Sequence, residues 1–163
     1  MSAGGDQAAT RQVVVGVDGS DGGRRALRWA FQEASFRGVG LKAIGVVQIH
    51  LVALSVPGYP YADETYINEL VASTRETVVA EVSAVQPDFP SVEVEIEAVM
   101  GAAAETLVEA SRSAELLVVG SRGRGGFSGL LLGSVSQQVV SHAHVPVLVV
   151  RPRHSDKGPA QAS

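Results

Sequence analysis

Apolar positions fall along this chain in two alternating rhythms. Short runs of apolar residues too brief for a helix are separated by longer stretches in which apolar residues recur every three or four positions. Gln12-Val13-Val14-Val15-Gly16-Val17, Leu41–Ile49, Leu116–Val119 and Val145–Val150 are near-continuous runs, the pattern of strands buried on both faces of a parallel sheet. Val92-Glu93-Val94-Glu95-Ile96-Glu97 alternates strictly instead. Its second face is wet, which places this strand at the edge of the sheet, where the glutamates discourage pairing with another chain. Between the strands lie four helical patterns. Leu27, Ala30, Phe31 and Ala34 mark the first, with Ser20 or Asp21 able to cap its start and Arg37-Gly38 its stop. Asp63–Val85 is the second, with Ile67, Leu70, Val71, Val78, Val82 and Val85 on the buried stripe and Pro87 and Pro90 beyond its end. The third opens at Gly101 and runs to about Ala114. The fourth starts at Ser134 and carries Val135, Val139 and Val140.

Strict alternation of strand and helix predicts an α/β fold: a single domain with an open parallel five-stranded sheet and helices on both faces. With the third strand at an edge the order is 3-2-1-4-5, and the first and fourth strands are adjacent. Ligands of such sheets bind beyond the carboxyl ends of the strands where the order reverses, here between Asp18 and Gly120. The expected domain covers residues 12–151. Residues 1–11 and 152–163, rich in small, polar and chain-breaking residues, are expected to be disordered tails.

The candidate chemistry sits at that reversal. Gly120-Ser121-Arg122-Gly123-Arg124-Gly125-Gly126-Phe127-Ser128-Gly129 leads through Leu130–Leu132 to Gly133-Ser134, so strand, glycine-rich loop and helix start follow one another. A helix start offers unpaired N–H groups and a positive dipole end, and glycines let backbone approach a ligand, so this is an anion site suited to phosphate. An ordinary mobile loop is the competing reading. Neither the P-loop nor the dinucleotide fingerprint is present: no lysine follows a glycine, and the sixth position from Gly123 is Ser128. Leu130 likewise rules out a Gly-x-Ser-x-Gly nucleophile elbow around Ser128. Asp18 reads either as a turn or helix cap or as a ligand contact, one that could share Mg2+ with phosphates. Pro57, Gly58 and Pro60 interrupt the stretch Leu51–Ala62, around which Tyr59, Tyr61 and Tyr66 cluster as a cover or simply as surface residues.

Composition narrows the classes. With no cysteine there is no disulfide, thiol nucleophile or cysteine–zinc site. A net charge of -4 disfavours nucleic acid as a partner. Met1–Gln12 has no apolar core of a secretory signal and no run approaches the length of a membrane span, so a cytoplasmic protein without a membrane partner is expected. His50, His142, His144 and His154 have no Glu or Asp at helical metal-ligand spacing, and no metal site is expected of them.

Val15-Gly16-Val17-Asp18-Gly19-Ser20, the spacing Gly120-x2-Gly123-x9-Gly133-Ser134 and the closing Val145–Val150 together resemble the universal stress protein family, in its ATP-binding branch. The resemblance covers roughly Val13 to Arg151. It implies the five-stranded fold above, an adenine nucleotide as ligand, and a homodimer paired through the last strand. It further implies that Asp18 contacts the adenine or ribose region and that the backbone of Val47 faces the adenine. Gly120 and Gly123 would lie beside ribose and phosphates, and Gly133, Ser134, Val135 and Ser136 would hold the phosphates. The expected function is therefore that of an ATP-binding, stress-response regulatory protein acting through dimer or partner surfaces, the protein partner being unknown. It would be no enzyme, or at most a weak ATPase. Cyclic AMP or another adenine nucleotide is the alternative ligand, and a structural dimerising module with a vestigial site the alternative role. The extra glycines Gly125, Gly126 and Gly129 within the spacer depart from the simplest members.

Overall fold

The computed structural model describes residues 11–48, 64–124 and 131–152. The Leu51–Ala62 stretch with Tyr59 and Tyr61, the glycines at 125, 126 and 129, His50, His154 and nearly all of both expected tails lie outside the described residues. In chain order the elements are β1 (Gln12–Gly16), α1 (Asp21–Arg37), β2 (Gly40–Val47), α2 (Glu64–Val85), β3 (Val94–Met100), α3 (Ala103–Ser111), β4 (Leu116–Gly120), α4 (Ser134–His142) and β5 (Val147–Val150). The strands form one parallel sheet in the order β3-β2-β1-β4-β5, as expected from the alternation.

The core is split by the sheet because successive strand side chains point to opposite faces. Val13 and Val15 of β1 join Leu27 and Phe31 of α1 and Val78 and Val82 of α2 on one face. Val14 joins Ile44, Leu107 of α3, Leu117 and Val139 of α4 on the other. Phe31, fully buried, stacks on Phe89 with ring centroids 5.5 Å apart.

This two-sided arrangement explains the alternation of the third strand. Val94 and Ile96 pack against the core under α1 and α2. Glu95 and Glu97 point to the opposite face, where they meet the ammonium of Lys42 from β2 at 3.1 and 2.5 Å. Burial works to lower the Lys42 pKa, and Glu97 and Glu95 outweigh it, so the ammonium titrates above its usual range. At the outer edge Arg75 of α2 donates to the carbonyl of Ile96 at 2.8 Å.

Several boundaries differ from the sequence expectation. β3 begins at Val94 rather than Val92 and continues to Met100, since its pairing with β2 runs on to Val47. β5 begins at Val147, because Pro146 has no N–H to give to a ladder; its carbonyl instead accepts from Leu117 N. β1 ends at Gly16, although Val17 N still donates to Ile44 O. α3 is shorter at both ends than the Gly101–Ala114 pattern. In α2 only Val78 and Val82 are fully buried. A helix of 22 residues spans about 33 Å and outruns the seven-residue β3 beneath it at about 23 Å, so part of its length has no sheet to cover. Arg11, placed with the N-terminal tail, pairs with Glu115. No helix among the described residues is long and apolar enough to cross a membrane.

Candidate functional site

β1 and β4 are neighbours whose continuations part in opposite directions, so their carboxyl ends open a crevice. On one wall is the β1–α1 turn. Gly19 has φ 78°, a left-handed conformation that costs an L side chain energy, and it reverses the chain so that Ser20 can cap α1. Ser20 Oγ accepts from Gly23 N at 3.0 Å and donates to Asp18 Oδ1 at 2.5 Å, while Ser20 N donates to the same oxygen at 3.0 Å. Asp18 is thereby both things its sequence allows: its Oδ1 braces the cap, and its Oδ2 is directed across the crevice. A Cβ added at Gly123 would lie 2.6 Å from that Oδ2, so the fourth-strand loop passes Asp18 at a distance only a glycine permits.

The opposite wall is the loop after β4. Its two ends are tied together by Gly133 N donating to Ser121 O at 2.7 Å, and Ser121, buried, is fixed to β5 by its own N–H on Val150 O at 2.9 Å. This closes the long spacer at its base and brings Gly133 against Arg122 and Gly123. Gly133 is the N-cap of α4 and offers no side chain to its first turn, so among the described residues the N–H groups of Ser134, Val135 and Ser136 receive no side-chain cap. The buried Ser136 hydroxyl donates instead to Gly120 O at 2.7 Å, which pins α4 to the end of β4. Ser134 is exposed and Val135 half-buried. Asp18, Gly120, Gly123 and Gly133 to Ser136 therefore converge on one crevice. Val47 stands at the same carboxyl edge but one strand farther out, buried, with its carbonyl accepting from Gly101 N at 3.0 Å.

The periodicity gave no sign of two charged residues that frame this site. Arg24 donates to Gly19 O at 2.9 Å and to Glu81 of α2 at 3.3 Å, and also pairs with Asp21, so it ties the Asp18 turn to a second helix. The Asp21–Arg24 spacing was a readable helical pair; Glu81, 57 positions away, left no local signal. Burial pushes the Glu81 carboxyl up, with Arg24 opposing, Asp18 adding to the rise and Arg124 opposing it. The Arg124 guanidinium lies over Gly19. The crevice thus holds carboxylates of Asp18 and Glu81 near guanidinium groups of Arg24 and Arg124, with uncapped helix N–H groups beside them. Among the described residues, no three His, Asp or Glu side chains are grouped so as to hold a metal ion.

Residues 9–151 match the universal stress protein family. The chain belongs to that family. A universal stress protein of Mycolicibacterium smegmatis is 40% identical over 153 residues, which is 92% of this chain and 50% of the relative. The domain spans about half the length of the curated universal stress proteins it matches. A solved universal stress protein in complex with cAMP is 28% identical, covers 90% of this chain and all of its own, and superposes with a TM-score of 0.57. The universal stress protein UspA of Lactobacillus plantarum, 23% identical with a TM-score of 0.70 over 87% of this chain and 98% of its own, shares the fold.

Proposed function

We propose that this universal stress protein domain binds an adenine nucleotide in the crevice between Asp18 and the Gly120–Ser136 loop and acts by being occupied. The observation that carries this reading is the uncapped start of α4, held beside Gly123 and facing Asp18. The N–H groups of Ser134, Val135 and Ser136 would take the phosphates, with Gly123 leaving room for them. Asp18 Oδ2 would accept from ribose or adenine, near the backbone of Val47 and beside Gly120. The residues fit such a ligand: a cradle that a Cβ would fill, a helix start with no side-chain cap among the described residues, and arginines at its rim.

ATP is the ligand we favour, because an uncapped first turn together with Arg122 and Arg124 suits a chain of phosphates better than one. Mg2+ could accompany it through Asp18. Cyclic AMP is the second reading, supported by the cAMP complex of the 28% identical relative. The role is regulatory rather than catalytic, with at most slow ATP hydrolysis, since Asp18 Oδ1 is held by Ser20 and is a fixed contact rather than a free base. Signalling would pass through a homodimer joined at β5, an end strand of the sheet, or through another protein.

Mass spectrometry of nucleotide released on denaturing unsupplemented protein tests the reading directly, followed by titration with Mg-ATP and cyclic AMP. Bound ATP is expected, and Gly123→Val should abolish it. Absence of nucleotide with failed titration by both would leave a structural module.

A further inference from the structure

A second concavity lies away from the crevice, on the flank of α1 that faces the end of β5. It has a volume of about 410 Å3 and is lined by Arg25, Arg28, Trp29, Gln32, Val150 and Arg151. Among the described residues three guanidinium groups and no carboxylate line it, with Arg25 already engaged in an interaction of its own, in a chain with 13 basic against 17 acidic residues. Arg28 meets Asp88 at 2.9 Å with both side chains about half exposed, and Arg151 forms no ion pair among the described residues. Trp29 is 45% exposed in a molecule whose other face of α1 is fully packed, and Val150 is buried beside it.

We infer that this groove is a second ligand site, for a small anion that carries a planar ring. Guanidinium forks bind phosphate and carboxylate oxygens in pairs of hydrogen bonds. An indole beside them offers a flat apolar surface to a ring, and the Gln32 amide can both donate and accept. The volume falls in the range of small-molecule sites, about 300–1,000 Å3, and is too small for a folded partner element. α1 and β5 are regular elements of the packed core, so the walls are already in place when the ligand arrives.

Trp29 is the one tryptophan of the chain, so its fluorescence reports on this groove. The full chain is titrated with uridine monophosphate, 4-hydroxybenzoate, uridine and inorganic phosphate. A saturable change with either of the first two is expected, and the stronger of them identifies phosphate or carboxylate as the anionic group. Uridine and phosphate alone should bind at least about tenfold more weakly, as should the preferred ligand to Arg151→Gln and to Arg28→Gln/Arg151→Gln. Gly123→Val, which obstructs the crevice, should leave the response in place. No saturable change at millimolar ligand would overturn the inference. So would equal responses to uridine monophosphate and bare phosphate, or a response lost in Gly123→Val but retained in both arginine variants.

Discussion

Replacing Gly120 by alanine tests how the crevice is built. An added Cβ there would sit 2.9 Å from both the carbonyl carbon and oxygen of Gly22 and 3.2 Å from its Cα. Ordinary carbon contacts are about 3.5–4.0 Å, so the first turn of α1 must withdraw from the end of β4 by roughly half an ångström or more. All three obstructing atoms are backbone, and no rotamer change can relieve them. Overpacking of this kind costs about 1–3 kcal/mol, and the stiffer unfolded chain returns about 0.4–1 kcal/mol. A net loss of about 1–2 kcal/mol follows, which lowers Tm by roughly 2–8 °C in a chain of this size. Gly40→Ala is the matched control: its Cβ would meet Glu93 O at 3.5 Å and Gln12 Cβ at 4.0 Å, ordinary contacts, so no loss from strain is expected. Urea and thermal unfolding of nucleotide-free protein measure both, since bound ligand would mask the difference. If Gly120→Ala proved as stable as Gly40→Ala, the close approach of α1 to β4 would not be what shapes this site.

Two further outcomes follow from the same turn. Ser20→Ala removes the side chain that accepts from Gly23 N and braces Asp18, and should cost about 1 kcal/mol in denaturant unfolding; unchanged stability would mean the cap is idle. Glu81 should titrate above its ordinary 4.5 in a carbon-13 NMR experiment. The folded state then holds this proton more tightly than the unfolded state, so the group's contribution to stability is complete below 4.5 and lost as pH rises through the folded value. A Glu81 titration at or below 4.5 would refute the dominance of burial.

The sheet order was legible because only one strand, Val92–Glu97, alternated; Glu95 and Glu97 lie on the α3 and α4 side of the sheet, where they pair with Lys42 instead of joining that core. The crevice was legible because Asp18 and Gly120 each sit where an apolar run gives way to a turn. What stayed hidden was tertiary. Ser136, which the family resemblance sets among the phosphate contacts, also donates its hydroxyl to the carbonyl of Gly120, a bond made only when α4 docks. Arg24 and Glu81 come together through the packing of α1 on α2, which no spacing encodes. The starts of β3 and β5 lie two residues later than the apolar pattern because that pattern begins before the first paired residue, and at β5 because Pro146 has no N–H for the ladder.

The two margins of the sheet are chemically unlike. Along β3 the outer carbonyl of Ile96 is taken by Arg75, and the charged group of Lys42, Glu95 and Glu97 occupies one face. Along β5 the residues are Val147-Leu148-Val149-Val150, with no charge among them. Growth by adding strands therefore has one permissive end and one guarded end. Two copies joined β5 to β5 would use up both permissive ends and present only guarded ones, so the joined sheet has nowhere to add a third. Were two copies to pair in this way, the same asymmetry would make the pairing self-limiting and guard against fibres.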